Sequence, residues 1–408
     1  MEEFDIAIIG GGMVGASLAL AVAAAGRRAV LIEAISPDSS THQSFDERTT
    51  ALGNASRRIL EALGVWDSVA DRCGVIRAIH VSDAGRLAFA RLNAREQGIE
   101  AFGFVVPNRV LGAALWDQIG RNAAISVRMP AQVASVSTDA AGVTLTLADP
   151  EGDPKRPQTR TLRARLVVAA DGAHSAVRRD AGITATEADY GQVGIVANVA
   201  TDTAHDGTAY ERFTSAGPLA LIPLRDGSYT VVWARTPEDA AQTLGATDEE
   251  FLKLLQQCFG WRVGKFTRVG RRASYPLKLT RADEAVGQRT VLIGNAAQSL
   301  HPVAGQGFNL ALRDVAALAE LLAEEGDPGA AALLERFAQG RAADRRGVTR
   351  FTDGLIRIFG DARLPVRVLR DVGLLLFDLL PPAKSALARV SLGFGGRTPR
   401  LARGLPLR

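Results

Sequence analysis

Short apolar runs that lead into glycine-rich loops recur three times along the chain. They cover residues 6–9, 166–170 and 291–293, and each has the length of a buried strand. A predicted helix follows each loop, over 16–25 after the first and 308–324 after the third. Open α/β sheets bind ligands in the loops at the carboxyl ends of their parallel strands. The pattern therefore predicts a parallel sheet with three ligand-binding loops.

Between residues 183 and 278 the pattern changes to alternating apolar and polar positions, which is typical of half-buried strands. Asp226-Gly227 predicts the turn of a hairpin within this region. Segment 77–92 has the same character and is expected to join the same sheet, so the first domain is discontinuous. The predicted division is a nucleotide-binding domain in three parts (1–76, 99–182 and 283–345), a sheet-rich domain in two parts (77–98 and 183–282) and a helical tail (346–408).

The first loop has the spacing GxGxxG between a strand and a helix. Gly10 permits a tight turn, Gly12 lets a pyrophosphate approach the backbone, and Gly15 lets the helix pack closely on the strand. A second strand, 28–32, ends in Glu33, whose carboxylate can accept hydrogen bonds from a ribose 2′-hydroxyl. This feature favours an unphosphorylated adenosine ribose, as in NAD or FAD.

Length and composition describe a folded protein with room for a large cofactor. The 408 residues suit two or three domains of ~150 residues each. Cys73 and Cys258 lie far apart with no CxxC, and the five histidines lack metal-binding spacing, so neither a disulfide framework nor a metal site is predicted. The chain shows no signal peptide, and no apolar run reaches the ~18 residues of a membrane span, so a cytoplasmic setting is expected.

Positive charge is concentrated toward the C-terminus. From residue 357 onward there are ten Lys or Arg and three Asp, whereas the rest of the chain has 38 basic and 41 acidic residues. This segment also contains an apolar helical stretch, 371–387. It can be interpreted as a packed helix with a solvated basic face, or as a peripheral contact with a membrane or a lipid substrate. Nucleic-acid binding is not expected, because aromatic residues do not alternate with the cations.

Four segments together resemble one enzyme family. They are GGGMVG with Glu33, DERTTALGNASRRILEALGVW, AADGAHSAVR and IGNAAQSLHPVAGQGFNLALRD, in this order over nearly the whole chain. The set is similar to FAD-dependent aromatic hydroxylases of the p-hydroxybenzoate hydroxylase type. Within them it is most similar to the ubiquinone-biosynthesis hydroxylases, in particular the 2-polyprenyl-6-methoxyphenol hydroxylases.

The resemblance implies a fold and an activity. The fold is an α/β FAD-binding Rossmann-like domain of the GR2 type, with an antiparallel-sheet substrate domain and a helical C-terminal tail. The activity is that of a monooxygenase that hydroxylates the ring of a polyprenylated phenol in ubiquinone biosynthesis. Such an enzyme uses FAD, NAD(P)H as a transient co-substrate, and O2 through a flavin C4a-hydroperoxide.

The resemblance also assigns cofactor contacts. It places Arg48 against the flavin dinucleotide, Arg109 on a second helix beside it, and Asp171-Gly172 in a motif associated with both FAD and the reducing nicotinamide. Most of the superfamily has GDAAH where this chain has GNAAQ at 294–298, so Asn295 replaces an acidic partner of the ribityl hydroxyls. The full cofactor-binding set is Gly10, Gly12, Met13, Val14, Gly15, Glu33, Arg48, Arg109, Asp171, Gly172, Asn295, Gly305, Gln306, Gly307, Phe308 and Asn309.

The third loop is expected to face the reactive part of the flavin. Gly305 and Gly307 let the backbone lie close to the isoalloxazine, and the amides of 307–309 at the start of the helix can face the negative charge of the reduced ring. Pro302 stiffens the approach beside the reactive carbon, and Val303 and Ala304 keep it apolar. Pro302 is therefore assigned to the catalytic site.

Two histidines are candidates for a general base toward a phenol. The unperturbed pKa of His301, ~6.5, lies in the useful range, although a histidine before proline in a packed loop is more often a structural hydrogen-bonding group. His174, in the DGAHS turn, is the weaker candidate. The chemistry is expected to come mainly from the cofactor.

The substrate is expected to lie between the second sheet and the flavin. Candidate lining residues are apolar side chains of that sheet, although such positions are more often ordinary core. They are Phe213, Leu219, Leu221, Pro223 and Trp233.

Other interpretations and partners stay open. The same loops could serve an FAD-dependent hydroxylase of another aromatic substrate, a dehydrogenase or prenyl-chain reductase, or a flavin-holding component of a biosynthetic complex. Candidate partners are a prenylated phenol, O2, the inner membrane surface, other ubiquinone-biosynthesis proteins and a second copy of the chain. If the tail is a membrane contact, with Arg363, Arg367, Arg370 and Lys384 facing lipid, deleting it after about Arg363 should leave FAD bound.

Overall fold

The computed structural model describes residues 2–36, 48–86, 89–148, 159–299, 305–360 and 398–407, with the isolated positions 363, 373, 380, 382, 384–385 and 392–393. The helices are α1 (Met13–Ala24), α2 (Asn54–Ala62), α3 (Asn108–Gly120), α4 (Ala176–Asp180), α5 (Pro237–Gly245), α6 (Asp248–Phe259), α7 (Gln306–Leu322) and α8 (Ala331–Gly360). The strands are β1 (Glu2–Ile9), β2 (Ala29–Ile32), β3 (Thr49–Gly53), β4 (Gly74–Ile76), β5 (Ala78–Asp83), β6 (Phe89–Asn93), β7 (Gly103–Pro107), β8 (Ile125–Arg128), β9 (Gln132–Thr138), β10 (Val143–Ala148), β11 (Thr159–Ala169), β12 (Ala185–Thr201), β13 (Thr208–Thr214), β14 (Gly217–Pro223), β15 (Tyr229–Arg235), β16 (Phe266–Val269), β17 (Ala273–Ala282), β18 (Val286–Gly287), β19 (Thr290–Leu292) and β20 (Gln298–Ser299).

The three apolar runs of the sequence lie side by side in one sheet. Its order is β18-β19-β11-β1-β2-β8, and β1 pairs in parallel with both β11 and β2. Strands buried on both faces have nearly continuous apolar sequences, and Ile6 and Ile8 are fully buried. The loops after β1, β11 and β19 therefore meet at one sheet edge, as the sequence predicts.

The alternating strands form a second, nine-stranded sheet. Its order is β20-β17-β12-β15-β14-β13-β5-β6, with β16 added on β12. Residues 223 and 229 pair across the predicted hairpin turn, and segment 77–92 joins this sheet by the pairing of β5 with β13. Helices α5 and α6 cover its outer face, where Phe251 packs against Trp233. The mixed α/β fold class is confirmed.

A small third sheet, β3-β7-β4, lies between the two large ones. Ile76 and Val105 of this sheet share a buried cluster with Leu92 of β6 and with Leu224, the residue after β14. Thr49 at the start of β3 donates a hydrogen bond to Thr230 of β15, with 3.1 Å between the hydroxyl oxygens. On its other side, Leu52 and Phe104 share a buried cluster with Ile6 and Ile8 of β1, so the small sheet packs against both large layers.

Helix α7 is held by α8 through buried ion pairs. Asp314 is 2% exposed and accepts hydrogen bonds from Arg341 at 2.6 Å and from Arg345 at 2.8 Å. Arg313 pairs with Asp344 at 2.8 Å. Helix α8 runs continuously through 345/346, where the sequence predicted the start of the tail.

The last described residues pack on the first sheet's helices. Leu401 and Ala402 are buried in the same cluster as α1, α2 and α7, and the backbone N–H of Arg400 donates to Glu320 at 2.7 Å. Most of the apolar stretch 371–387 lies outside the described residues, as do Arg367 and Arg370. In the part of the chain that is described, we find no helix with the length and apolarity of a membrane span.

Candidate active site

A cavity of about 820 Å³ lies between the first sheet, the small sheet and the inner face of the nine-stranded sheet. We call it the central cavity. All three predicted loops reach it. Twelve of the predicted cofactor residues line it, namely Gly10, Gly12, Met13, Val14, Glu33, Arg48, Asp171, Gly172, Asn295, Gly305, Gly307 and Phe308.

The loop after β1 is built for close approach of backbone segments. Gly10 has a φ of 98°, and a Cβ there would lie 2.5 Å from the carbonyl oxygen of Ala170. A Cβ on Gly15 would lie 1.8 Å from the carbonyl oxygen of Gly10. Gly15 does not line the cavity and lets α1 pack on the strand, while Gly12, the residue before α1, lies at the cavity wall.

Glu33 fixes this loop as well as facing the cavity. Its carboxylate accepts hydrogen bonds from the backbone N–H of Gly11 and, at 2.9 Å, from that of Ile35. Gly11 was not assigned a role from the sequence. A Cβ on it would lie 2.7 Å from the ring of Trp116, whose indole N–H donates to the Gly11 carbonyl at 3.2 Å. The middle glycine of GGG was the signal for this contact.

The loop after β11 offers an acceptor to the cavity. One oxygen of Asp171, Oδ2, accepts the N–H of Ala176 at 2.9 Å and so caps α4. The other, Oδ1, is buried and has no hydrogen-bond partner among the described residues. Gly172, with a φ of 87°, has open space where a Cβ would stand. This arrangement fits a hydroxyl-bearing ligand that donates to Asp171.

Arg178 joins two of the loops. Its side chain is 6% exposed, and its guanidinium donates at 2.9 Å to the carbonyls of Ala296 and Ala173. These carbonyls belong to the loops after β19 and β11. The sequence motif AADGAHSAVR contains Arg178, but its partner loop could be identified only from the tertiary structure.

The loop before α7 is held by Asn309. Its Oδ1 accepts the N–H of Gly53 at 2.8 Å and the hydroxyl of Ser56 at 2.6 Å, and its Nδ2 donates to the carbonyls of Ala51 and Gly305 at 2.8 Å. Asn309 and the buried Gln306 are not among the residues that line the cavity. Asn309 instead positions the backbone of this loop.

The two predicted arginine contacts differ in placement. Arg48 lines the cavity, with its guanidinium 5.9 Å from the ring centre of Tyr275. Arg109 is exposed on the first turn of α3 and does not line the cavity. Its neighbour Asn108 does, and accepts a hydrogen bond from the hydroxyl of Thr50 at 2.7 Å.

Of the candidate catalytic groups, only His174 lies in the described part of the chain. It is exposed at the cavity edge, and its carbonyl accepts a hydrogen bond from Arg179 at 2.8 Å. His301 and Pro302, with Val303 and Ala304, lie outside the described residues.

The predicted substrate residues lie away from the central cavity. Leu219, Leu221 and Trp233 are buried against α5 and α6 on the outer face of the sheet. Phe213 stacks on Phe359 of α8 with 3.7 Å between ring centres, and Pro223 is buried at the end of β14. Neighbouring positions form the cavity wall instead, because alternate residues of a strand point to opposite faces. The wall consists of Val196, Ile222, Thr230, Val232 and Tyr275.

A short hydrogen-bonded chain interrupts this apolar wall. The Thr49 hydroxyl donates to Thr230, and the Thr230 hydroxyl donates to Oδ1 of Asn198 at 2.8 Å. Because the amide oxygen of Asn198 only accepts, it orders the donors along the chain and leaves lone pairs on Thr49 Oγ1. Thr49 and Thr230 both line the cavity. Thr49 Oγ1, at the end of this hydrogen-bonded series, can therefore accept a hydrogen bond from a ligand hydroxyl.

The residues present fit FAD. Helices α1 and α7 begin at the cavity and point their N-terminal amides toward it, which favours anionic groups. Glu33 and Asp171 supply acceptors for sugar-like hydroxyls, and Gly307 leaves open space where a side chain would stand. Within the described ranges, no group of three His, Cys, Asp or Glu could hold a metal ion.

The chain matches a family model described as FAD binding domain over residues 3–352. It is 37% identical to ubiquinone hydroxylase UbiL of Rhodospirillum rubrum, covering 99% of this chain and 93% of that protein. It is 31% identical to 3-demethoxyubiquinol 3-hydroxylase of Escherichia coli, covering 96% of this chain and 99% of that protein.

Among solved structures the chain is similar to p-nitrophenol 4-monooxygenase PnpA from Pseudomonas putida. The TM-score is 0.79 at 20% identity, covering 97% of this chain and all of that one. It is also similar to PqsL from Pseudomonas aeruginosa, with a TM-score of 0.73 at 24% identity and 92% of this chain covered. These similarities concern the fold.

Proposed function

Because the chain belongs to the FAD-dependent family of ubiquinone-biosynthesis hydroxylases, we propose that it hydroxylates the ring of a polyprenylated phenol. In each turnover NAD(P)H gives two electrons, one atom of O2 enters the ring as a hydroxyl, and the other leaves as water. Bound FAD supplies the electron transfer and the oxygen activation.

One feature of the central cavity carries this proposal. The apolar wall of Val196, Ile222 and Val232 lies in the same cavity as the loop before α7, and Thr49 and Thr230 are polar positions on this side. We assign the ring and the first prenyl unit to the apolar wall. We assign the phenol hydroxyl to Thr49, whose oxygen accepts its proton in a hydrogen bond. The threonines position the ring, since a hydroxyl is too weak a base to remove the proton.

The protein's part in the chemistry is electrostatic and steric. The N-terminal amides of α7 at Gly307 and Phe308 would favour negative charge on a flavin ring held beside them. Asn309 and Arg178 hold the loops that carry these groups. The apolar wall excludes water from the reacting centre. Glu33, Asp171 and the amides of the loop after β1 would hold the nucleotide part of FAD.

We assign NAD(P)H a transient role. The glycine loop after β1 is the single GxGxxG unit of the sequence, and the resemblance to the hydroxylase family assigns it to FAD. We further propose that the enzyme works peripherally at a membrane surface. A polyprenylated phenol dissolves in the bilayer, and a protein that meets it there has reason to touch anionic lipid.

The test uses the FAD-loaded protein with NADH or NADPH and isotopically labelled O2. A prenylated methoxyphenol is compared with the same phenol lacking the prenyl group and with p-nitrophenol. We expect one labelled oxygen in the ring of the prenylated compound and faster flavin reduction in its presence. Peroxide as the only product, or a preference for the unprenylated compounds, would contradict the proposal.

Thr230→Val tests the assignment of the polar positions. The variant keeps the shape of the side chain and loses both hydrogen bonds, so FAD should stay bound while more peroxide forms per NAD(P)H consumed. Thr243→Val is the matched control, because Thr243 is equally buried but lies on α5, where its hydroxyl donates to the Asp239 carbonyl. Equal peroxide yields in the two variants would refute the role of Thr230.

A further inference from the structure

The turn between α6 and β16 presents a tryptophan to solvent. Trp261 is 71% exposed, the highest value among the large apolar side chains of the described residues. The other three tryptophans of the chain are more enclosed, with Trp66 at 8%, Trp233 at 1% and Trp116 half-buried. An indole has an apolar body and one polar N–H, and tryptophan is therefore enriched at protein and membrane interfaces.

The turn is rigid, so the exposure of Trp261 is fixed by the fold. The side chain of Gln256 donates to the carbonyls of Gly260 at 2.7 Å and Gly264 at 3.1 Å, and accepts the N–H of Phe266 at 2.9 Å. Val263, in the middle of the turn, is 4% exposed and packs in the core beneath α6. Because Val263 packs in the core and the hydrogen bonds of Gln256 fix both ends of the turn, the side chain of Trp261 is held toward solvent.

Cations surround the tryptophan in the sequence. Between residues 260 and 272 there are five Lys or Arg and no Asp or Glu. Arg272 pairs with Asp248, whereas the other four are exposed and form no ion pair within the described residues. They are Arg262, Lys265, Arg268 and Arg271. The acidic side chain in contact with the turn, Asp202, accepts the backbone N–H of Lys265 at 2.8 Å and a hydroxyl of Thr203.

We propose that residues 260–271, which comprise this turn, β16 and the two residues after it, dock the protein on an anionic lipid bilayer. Tryptophan prefers the interface between headgroups and acyl chains, and each Lys or Arg near an anionic surface strengthens binding by about fivefold. A protein partner would require a larger apolar patch, whereas Trp261 is the one apolar side chain of the turn that is exposed. The biological role of this membrane contact rests on the proposed function, but the binding of residues 260–271 to lipid does not.

The experiment measures sedimentation of the FAD-loaded full-length protein with vesicles of phosphatidylcholine, with and without phosphatidylglycerol. We expect binding to the anionic vesicles that weakens at high salt. Trp261→Ala should weaken it by about tenfold, and the triple change Arg262→Gln, Lys265→Gln, Arg268→Gln by about 100-fold, from the contribution of each cation. The charge-matched control is Arg72→Gln, Arg95→Gln, Arg160→Gln, at three exposed positions outside the turn.

Fluorescence locates the contact independently of binding strength. Brominated lipid should quench the emission of the bound protein, and Trp261→Phe should keep the binding while losing the quenching. Binding that is unchanged in the Ala and triple variants, binding without quenching, or no binding to anionic vesicles would each overturn the proposal. Ring hydroxylation of a prenylated phenol in detergent, measured alongside, separates this outcome from failure of the proposed function, because it requires no bilayer.

Discussion

Gly307 lines the central cavity, and a Cβ added there would meet no side chain or distant backbone of the described residues within 4 Å, so a side chain at this position would project into the cavity. Gly307→Leu should therefore leave the fold intact and occupy space assigned to FAD. We expect the dissociation constant for FAD to rise by at least about 100-fold, equivalent to roughly 3 kcal/mol, as measured by flavin fluorescence titration. Gly340→Leu is the control, since Gly340 is an exposed helical glycine of α8 with equally open surroundings. Equal FAD affinity in the two variants would refute the placement.

At the scale of single residues, the sequence predicts the glycine loops but not which side chains form the wall of the central cavity. Gly15 is required by its contact with the Gly10 carbonyl inside one strand–turn–helix unit, so the spacing of these glycines is visible in the sequence, although Gly10 also lies against the distant Ala170. Leu221 and Ile222 are adjacent apolar residues of β14, and the sheet is covered on both faces there. Alternation shows that they point to opposite sides but not which side faces the cavity. The role of Arg178 could not be predicted for a similar reason, because the Ala296 carbonyl that it binds is 118 residues away in the sequence.

At the scale of secondary-structure elements, the ion pairs between α7 and α8 predict that the stability of the fold depends on pH. Burial raises the pKa of Asp314, but the guanidinium groups of Arg345 and Arg341 outweigh burial and hold this pKa below its usual value. A carboxyl with a lowered pKa in the folded state stabilises the fold above its unfolded pKa of about 4, and loses this effect as pH falls further. Asp314→Asn should cost about 3 kcal/mol near pH 7, because Arg345 loses its charged partner and the buried Arg341 keeps only its pair with Asp344.

Urea unfolding at pH 7 and at pH 3.5 measures this effect, and the difference between wild type and Asp314→Asn should shrink at the lower pH. Glu324→Gln is the control, because its pair with Arg336 is about half-exposed on both sides. An exposed pair contributes less than about 1 kcal/mol. A pH-independent difference for Asp314→Asn would contradict the assignment of the stability to its ionised form.

The hairpin of β14 and β15 was predictable because its turn residues are local, whereas the extent of α8 was not. The charged segment 341–346 has the composition of a solvated surface, and the predicted tail began there. In the structure Arg341 is 3% exposed, because Asp314 on α7 accepts its hydrogen bond. A buried ion pair between two helices leaves no periodic signal in either sequence.

At the scale of the whole molecule, the C-terminal residues Leu401 and Ala402 pack in the core formed by the helices of the first sheet. The sequence predicted that a membrane-contacting tail could be removed after about Arg363 with FAD still bound. That truncation stays a prediction, but Leu401 and Ala402 pack with α1, α2 and α7, of which α1 and α7 line the central cavity, and this favours the other interpretation, a packed tail. The basic composition of residues 357–408 obscured this contact, since two buried apolar residues within a charged segment give no periodicity.

Leu401→Ala should therefore destabilise the protein although it lies near the C-terminus. Leu401 is 1% exposed, and its truncation leaves a cavity against α2 and α7 that should cost about 2–4 kcal/mol. Leu405→Ala is the matched control, since Leu405 is 41% exposed and its loss should change stability by less than about 0.5 kcal/mol. Urea unfolding and the FAD content after gel filtration give the comparison. Because α7 also carries the loop assigned to the flavin, the weakened packing at Leu401 should lower FAD retention together with stability. Equal stability and equal FAD content in the two variants would contradict the structural role assigned to Leu401.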